Sequence, residues 1–184
     1  MGDPKKPKKQ YNTPSHPFRK ARIEEEIKYK KEYGLKNKTE IWKFDSKVKG
    51  FWRQAKRIIA TRTAQAEIER QQLLRKLVRL GLLESEQDIG AVLNIKIEHV
   101  LGRRLQTIVV KKQLARSMKQ ARQFITHGHI LVGGKKITAP SYLVKREEEP
   151  SVSFVAHSSL ASNEHPERAP LPQKHAPKQK VEAA

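Results

Sequence analysis

One long stretch of this sequence has the residue types that bind phosphate. Between His99 and Arg146 there is no Asp or Glu, yet eleven Lys and Arg residues occur there. Residues 21–94, by contrast, mix 17 bases with 11 acids. A solvent-exposed helical face normally carries both signs, because opposite charges at i,i+4 stabilise it. The missing carboxylates therefore predict a phosphate-binding surface, and an ordinary solvated surface is the alternative.

The charge of the whole chain points to the same partner. The 184 residues include 39 Lys and Arg against 19 Asp and Glu, which gives a net charge of +20. A compact chain of that charge repels itself unless a polyanion neutralises it. The apolar runs are far shorter than the ~20 residues that span a bilayer, and the Lys- and Pro-rich N-terminus is not a secretory signal. We expect a soluble, intracellular protein that binds nucleic acid.

The candidate binding residues are the cations and polar side chains of this stretch. Arg presents a planar fork of donors to phosphate oxygens, and Gln can reach a 2′-hydroxyl or a base edge. Arg104 falls inside the apolar arc of its helix, so packing in the core is as good an interpretation as direct contact, whereas Arg103 falls outside it. Few aromatic residues lie among the bases, so base stacking should be a minor contribution. The candidates are Arg103, Arg104, Lys111, Lys112, Arg116, Ser117, Lys119, Gln120, Arg122, Gln123, His127, His129, Lys135 and Lys136.

Two helices and a hairpin are predicted to position these side chains. Apolar periodicity predicts one long helix over about Ile97–Val110. Ser117 and Gln120 have the spacing of a capping box and open a second helix, which Gly128 ends. Its N-terminus would add free N–H groups and a partial positive charge to the binding surface.

Residues 130–154 predict a small sheet after the second helix. Ile130 and Val132 alternate with Leu131, and Gly133-Gly134 supplies a two-residue turn with positive φ. Ile137 then returns on a second strand. The apolar residues Tyr142, Val144, Val152 and Phe154 indicate one or two further short strands.

Residues 19–94 predict a helical subdomain. A first helix runs from about Arg19 to Tyr33, with Ile23 and Ile27 toward the core and Gly34 as its C-cap. A second helix starts at Thr39 as N-cap, and a third follows Thr63 and stops at Gly81. The predicted core residues are Ile41, Phe44, Val48, Phe51, Trp52, Ala55, Ile58 and Ile59 on the second helix, and Ile68, Leu74, Leu77 and Val78 on the third. The other side of the second helix carries secondary RNA-binding candidates: Lys43, Lys47, Arg53, Lys56 and Arg57.

The predicted class is therefore α+β, with two non-periodic ends. Residues 1–20 form a flexible basic arm, 21–94 the helical subdomain, 95–155 the RNA-binding module and 156–184 a disordered tail. The arm adds further secondary RNA-binding candidates: Lys5, Lys6, Lys8 and Lys9.

No catalytic or metal chemistry is predicted. The chain has no cysteine, which excludes disulfides, thiolate zinc sites and Cys nucleophiles. His127 and His129 lack a nearby carboxylate and make a poor metal site. Gly133-Gly134-Lys135 lacks the first glycine and the final Ser or Thr of a P-loop. We expect no enzyme, no cofactor and no metal.

Five short strings carry a family resemblance in this order: RRLQT at 103–107, LARS at 114–117, ARQFI at 121–125, HGHI at 127–130 and PSYLV at 140–144. The segment resembles the RNA-binding domain named after ribosomal protein S four of the small subunit. The upstream strings PFRKARIEEEI and YGLKNKTEIWK are similar to the archaeal and eukaryotic branch of that ribosomal protein family. The resemblance covers roughly residues 10–155.

The resemblance implies a function more specific than nucleic-acid binding. Such proteins bind small-subunit ribosomal RNA directly and early in assembly, at a junction in the 5′ domain. They lie beside ribosomal protein S five and influence translational accuracy, in the cytoplasmic small subunit. Carried over by position, the residues that match the RNA-facing part of the motif are Arg103, Arg116, Ser117, Gln120, Arg122, Gln123, His127, His129, Lys135 and Lys136.

The sequence departs from the family pattern at two places, and two rival functions stay open. The hairpin reads Val132-Gly133-Gly134 where Val-Asn-Gly is common, and KREEEP follows Val144 where many members have Gly-Asp, with Glu149 as the candidate replacement. One rival is a ribosome-associated quality-control factor that binds RNA. The other is an RNA-modifying enzyme with the same module, although no catalytic motif accompanies it here.

Overall fold

The predicted α+β class is confirmed by the computed structural model, which describes residues 9–61, 63–84, 89–162 and 165–167. The N-terminal part contains α1 (Lys20–Glu32), α2 (Lys38–Ala60), α3 (Ala64–Arg79), a 3-10 helix (Ile89–Asn94) and α4 (Ile97–Gly102). The C-terminal part contains α5 (Leu105–Lys111), α6 (Met118–Thr126), β1 (Ile130–Val132), β2 (Lys135–Lys136), β3 (Ser153–Phe154) and a second 3-10 helix (Ser159–Ala161).

Helix α2 organises the N-terminal core because its apolar residues recur with the helical period. Its buried residues are Ile41, Phe44, Val48, Ala55 and Ile58, whereas Phe51 and Trp52 are half-buried against the same cluster. The five basic candidates on α2 are exposed on the opposite side, as predicted. Two predicted core positions are wrong, because Ile59 and Ile68 are each 51% exposed.

The ends of the first three helices follow local signals in part. The Thr63 side chain accepts a hydrogen bond from the Ala66 N–H and so caps α3. Helix α2 begins one residue before Thr39, with Asn37 as its N-cap residue, so the predicted Thr39 cap is wrong. On α1 the buried residue is Glu26, whereas Ile27 is 44% exposed and does not enter the core.

The predicted long helix over Ile97–Val110 is interrupted at its centre. Helix α4 ends at Gly102 and α5 begins at Leu105. Between them, the N–H of Leu105 donates to the carbonyl of Tyr142 (2.8 Å), and the Arg103 carbonyl accepts from the N–H of Val144 (3.0 Å). Hydrogen bonds to a distant extended segment therefore replace the helical ones, and the apolar periodicity of the sequence continues across the break without revealing it.

The small sheet forms largely as predicted. Strand β1 lies between β2 and β3 and pairs antiparallel with both. Gly133 and Gly134 adopt positive φ values of 56° and 75°, as the two-residue turn requires. Residues 142–144 contribute only an isolated bridge between Leu143 and Arg104.

Helix α6 starts as the sequence predicts, with half of the capping box. The Ser117 hydroxyl accepts from the Gln120 N–H at 3.2 Å, but the Gln120 side chain accepts from the Arg116 N–H and not from that of Ser117. Ala121, Phe124 and Ile125 are buried, as expected. These three residues belong to the second apolar cluster, together with Ile130 and Val132 of β1, and Phe154 of β3 packs against it.

Part of each predicted flexible end is described. Residues 156–162 are ordered, because Leu160 is 4% exposed and packs into the C-terminal cluster, so the predicted disordered tail does not begin at Ala156. Residues 163–164 and 168–184 of that tail, like Lys5, Lys6 and Lys8 of the arm, lie outside the described residues. Within the described ranges, no helix has the length and apolar character needed to cross a membrane.

Candidate nucleic-acid interface

Arg104 lies at the boundary between the two apolar clusters and does not reach solvent. Its side chain has 0% exposure, and its guanidinium carbon is 5.2 Å from the centre of the Phe44 ring. Its Nη2 donates to Gln106 Oε1 (3.2 Å) and to Glu40 Oε2 (3.4 Å). The prediction that Arg104 binds RNA is therefore wrong, and its alternative, packing in the core, is what the structure shows.

Glu40 joins Arg104 to a second predicted binding residue. Arg122 donates from Nη2 to Glu40 Oε1 at 2.5 Å. Burial by itself would raise the pKa of the Glu40 carboxyl, but the hydrogen bond from Arg122 and the charges of Arg122 and Arg104 lower it below its ordinary value. Burial likewise lowers the pKa of Arg104 to about 10, so Arg104 remains charged at neutral pH. The three residues form an ion-pair network between α2 and the C-terminal part, called the Glu40 network below.

Arg103 also makes internal contacts. Its Nη1 lies 2.6 Å from Glu149 Oε2, and its Nη2 donates to the Val144 carbonyl at 3.1 Å. Glu149 is thus the ion-pair partner of Arg103, and its role as the replacement for the family's Gly-Asp stays a prediction. Lys145 pairs with Glu148 at 2.9 Å. The acid-free stretch therefore obtains part of its counter-charge from acids that follow it directly, and part from Glu40.

Lys112 is a further candidate that the structure places against backbone. Its Nζ donates to the carbonyls of Pro150 (3.0 Å) and Val152 (3.4 Å). The ammonium group therefore anchors the segment that leads into β3. Its contribution to an RNA-binding surface is limited by these bonds.

Other candidates do project into solvent. Lys119, Gln123, His127, Lys111, Lys135 and Lys136 are exposed. None of the four lysines forms an ion pair with a described residue. The Lys136 side chain lies over Gly128, where an added Cβ would be 2.8 Å from Lys136 Nζ, so the hairpin cation sits beside the C-terminal end of α6. Among the candidates, the four lysines are therefore the exposed cations of the C-terminal part.

The outer face of α6 has two edges with different neighbours. Lys119 and Arg122 face α1 across a cleft. On the other edge, Arg116 Nη2 donates to the Pro166 carbonyl, and Gln120 Nε2 donates to the Glu167 carbonyl at 3.0 Å. Residues 165–167 therefore cover part of the predicted binding face.

The cleft contains basic residues that the sequence reasoning missed. Its volume is about 810 Å³, and Lys30, Lys31 and Lys36 from the end of α1 and the following loop line it together with Lys119 and Arg122. These three lysines occur close together in the sequence. They were overlooked because the net charge of residues 21–94 was assessed over the whole mixed-sign segment.

The two histidines beside α6 form a stacked pair. The rings of His127 and His129 are 6.3 Å apart and inclined by 14°, and His129 Nδ1 lies 2.9 Å from Ser158 Oγ. Within the described ranges, no group of His, Cys, Asp and Glu residues could hold a metal ion. His127 is exposed at this edge, and its contact with RNA stays a prediction.

The secondary candidates on α2 form a separate basic region. Lys47 lies over the Phe44 ring at 5.3 Å, and burial together with the charges of Lys43 and Lys76 lowers its pKa. Arg57 is 3.9 Å from Glu69. From the arm, Lys9 is exposed and lies 4.9 Å from the centre of the Tyr11 ring.

Comparison with known proteins decides the family. Residues 103–150 match the S4 domain family, which is the S-four domain whose motifs the sequence carries. The small ribosomal subunit protein uS4 of Methanococcus aeolicus is 49% identical over 169 residues, which cover 91% of this chain and 96% of that protein. The uS4 protein of Methanococcus maripaludis strain C5 is 47% identical over the same length, covering 91% of this chain and 95% of that protein. The chain belongs to the uS4 family.

The extent of the S4 match fits the contacts described above. It begins at Arg103, the residue that follows α4, and it includes Glu149, the partner of Arg103. The uS4 likeness extends well beyond this domain, and it includes the α-helical part that supplies Glu40. The Glu40 network therefore joins the S4 domain to the upstream helices of a uS4 protein.

Proposed function

We propose that this chain is a structural constituent of the small ribosomal subunit, where it binds small-subunit ribosomal RNA in the cytoplasm. The observation that carries the proposal is the likeness to uS4 proteins over 91% of the chain. The exposed cations of the S4 domain supply the chemistry, since a polyanion neutralises ammonium groups that have no internal partner.

The contacts divide the predicted binding residues into two groups. Lys111, Lys119, Gln123, His127, Lys135 and Lys136 are free to meet RNA. Ser117 is exposed at the cleft with α1 and is likewise free to meet RNA. Arg116, Gln120 and His129 contact Pro166, Glu167 and Ser158, and bind RNA once these contacts are released. Arg103, Lys112 and Arg122 support the surface, because each is engaged in contacts within the chain.

The finer functions are part of the same proposal. The protein binds early, nucleates assembly of the 5′ domain of the subunit, lies beside ribosomal protein S five and supports translational accuracy. The Glu40 network supports an early role, because it holds the helical part and the S4 domain together before RNA binds. A surface that is already assembled loses less conformational entropy on binding.

Sedimentation distinguishes the proposed structural role from the alternative of a transient quality-control factor. A structural constituent stays with small subunits after a wash in high salt, whereas a transient factor or an appended enzyme leaves. Release of the protein at a salt concentration that leaves other small-subunit proteins bound contradicts the proposal.

Charge reversal tests the binding surface directly. Lys119→Glu combined with Lys136→Glu is expected to weaken binding to small-subunit RNA by at least about tenfold and to lower the dependence of affinity on salt. Arg75→Glu is the matched control, because Arg75 is an exposed base of α3 outside this surface. The double variant changes the net charge by four units and the control by two. A loss of binding free energy in the double variant no greater than twice that of the control, with both folded, would contradict the proposed surface.

A further inference from the structure

The cleft between α1 and α6 combines a basic rim with an apolar floor. The floor consists of Ile27, Leu35 and Met118, and the apolar surface is open because Ile27 is 44% exposed. Lys30, Lys31, Lys36, Lys119 and Arg122 surround it, and no Asp or Glu lines the cleft. An exposed isoleucine in a cleft lined by cations is not needed for phosphate binding by itself.

The floor is held in shape by a close approach of two chain segments. Gly34 has a φ of 58°, and a Cβ added there would lie 2.6 Å from the Cβ of Met118. The Gly34 carbonyl accepts from Gln106 Nε2 at 3.3 Å, which ties the end of α1 to the S4 domain. The cleft is therefore preformed and does not need to open for a ligand.

The side chains that line the cleft indicate which kind of ligand it binds. A regular RNA helix keeps its bases stacked and offers phosphates and 2′-hydroxyls to a protein surface. An unstacked nucleotide offers in addition the flat face of a base, which can lie on aliphatic side chains while its phosphates meet the cations. The absence of any acidic residue from the lining fits a polyanion and leaves nothing to bind basic peptide side chains.

We propose that the cleft takes one unpaired nucleotide of the bound RNA, with its base on Ile27, Leu35 and Met118 and its flanking phosphates on the lysine rim. This inference rests on the proposed RNA-binding function and adds a base contact to it. It also gives α1 a direct part in RNA recognition, through a contact that the S4 domain by itself could not make.

The test uses the full chain bound to small-subunit RNA and reads individual nucleotides by chemical probing. With the native protein, at least one unpaired base is expected to become protected from base-specific modification. Ile27→Ser is expected to expose that base again and to weaken binding by about threefold to tenfold, because an aliphatic contact lies at or below the lower end of the ~1–3 kcal/mol of an aromatic stack, while protection of the backbone persists. Ile59→Ser and Ile68→Ser are matched controls, since both isoleucines are 51% exposed on other helices.

The outcomes separate this inference from the proposed function. If Ile27→Ser leaves affinity and base reactivity unchanged while the Lys119 and Lys136 reversal still weakens binding, the nucleotide site is wrong and RNA binding stands. If the native chain does not bind the RNA, the proposed function itself fails. If Ile27→Ser loses a neighbouring protein from the assembled subunit but keeps every RNA contact, the occupant is a protein segment and the inference is overturned.

Discussion

Arg122 and Glu40 are 82 residues apart in the sequence, yet Arg122 Nη2 lies 2.5 Å from Glu40 Oε1. The other oxygen of the same carboxylate accepts from Arg104 at 3.4 Å. One acid of α2 is thus the shared counter-ion of two arginines from a stretch without any acids, and the network keeps a net charge of +1. The number of bases in that stretch therefore overstates the positive charge that the stretch presents to a ligand.

Removing the shared acid should destabilise the fold. Glu40→Ala leaves Arg104 buried without a counter-ion, and we expect a loss of about 3 kcal/mol in the free energy of unfolding, the lower end for a broken buried pair. The lower end applies because the Glu40 side chain keeps 21% exposure. Urea denaturation of the two proteins measures the difference.

Asp45→Asn is the matched control on the same helix. Asp45 pairs with Lys49 at 2.7 Å, but both side chains are more exposed than the residues of the Glu40 network. Loss of such an i,i+4 pair should cost less than about 0.5 kcal/mol. Similar losses for both variants would contradict the structural importance of the Glu40 network.

The Glu40 network also predicts how the stability of the protein depends on pH. The folded-state pKa of Glu40 is lowered, so the unfolded chain takes up its proton more readily. Its stabilising contribution is complete above the ordinary value of 4.5 and is lost as pH falls through the folded-state pKa. Glu148, whose pKa is also lowered overall by Lys145 and Tyr142 against the effect of burial, should behave alike.

We therefore expect unfolding free energies measured between about pH 3 and pH 7 to decline at the acid end, and to decline less steeply in Glu40→Gln. The slope that remains in this variant reports Glu148 and other carboxylates. If the unfolding free energy of Glu40→Gln falls as steeply at low pH as that of the native protein, Glu40 is excluded as a source of the decline.

The segment over α6 should compete with RNA. A chain that ends at Ser162 lacks the Pro166 and Glu167 carbonyls that accept from Arg116 and Gln120. We expect it to bind small-subunit RNA about threefold more tightly, because an exposed hydrogen bond contributes about 0.5–1 kcal/mol. The removed residues contain four bases and three acids, so the net charge changes by only one.

A double-variant comparison isolates this effect. In a chain that already carries Arg116→Ala and Gln120→Ala, the same truncation should leave RNA affinity unchanged. Filter binding or fluorescence anisotropy at one fixed salt concentration is sufficient. An equal gain in both backgrounds would show that the tail acts elsewhere.

Two glycines provide opposite predictions for the same substitution. At Gly34 the φ of 58° and the 2.6 Å approach to Met118 Cβ leave no room for a methyl group, and Gly34→Ala should cost at least about 2 kcal/mol of stability. Gly50 lies inside α2, where an added Cβ meets nothing within 4 Å. Gly50→Ala should stabilise the protein by about 0.5–1 kcal/mol. Thermal unfolding of both variants tests this, and a tolerated Gly34→Ala would contradict the close packing of α1 on α6.

Several features of the fold could be predicted because their causes are local. The apolar period of α2, the cap at Ser117 and the Gly133-Gly134 turn each depend on residues within one or two turns of chain. The S-four motifs indicated the family, and the uS4 relatives confirm it. These parts needed no knowledge of how the chain folds back on itself.

The break between α4 and α5, the burial of Arg104 and the cleft beside Ile27 were decided only by the tertiary structure. Each depends on residues far apart in sequence, such as Glu40 with Arg122 or Tyr142 with Leu105. The composition and the apolar periodicity of a sequence are the same whether an arginine in it binds a phosphate or a carboxylate. The partner that folding brings within hydrogen-bond distance, rather than the residue type, determines which of the two it binds.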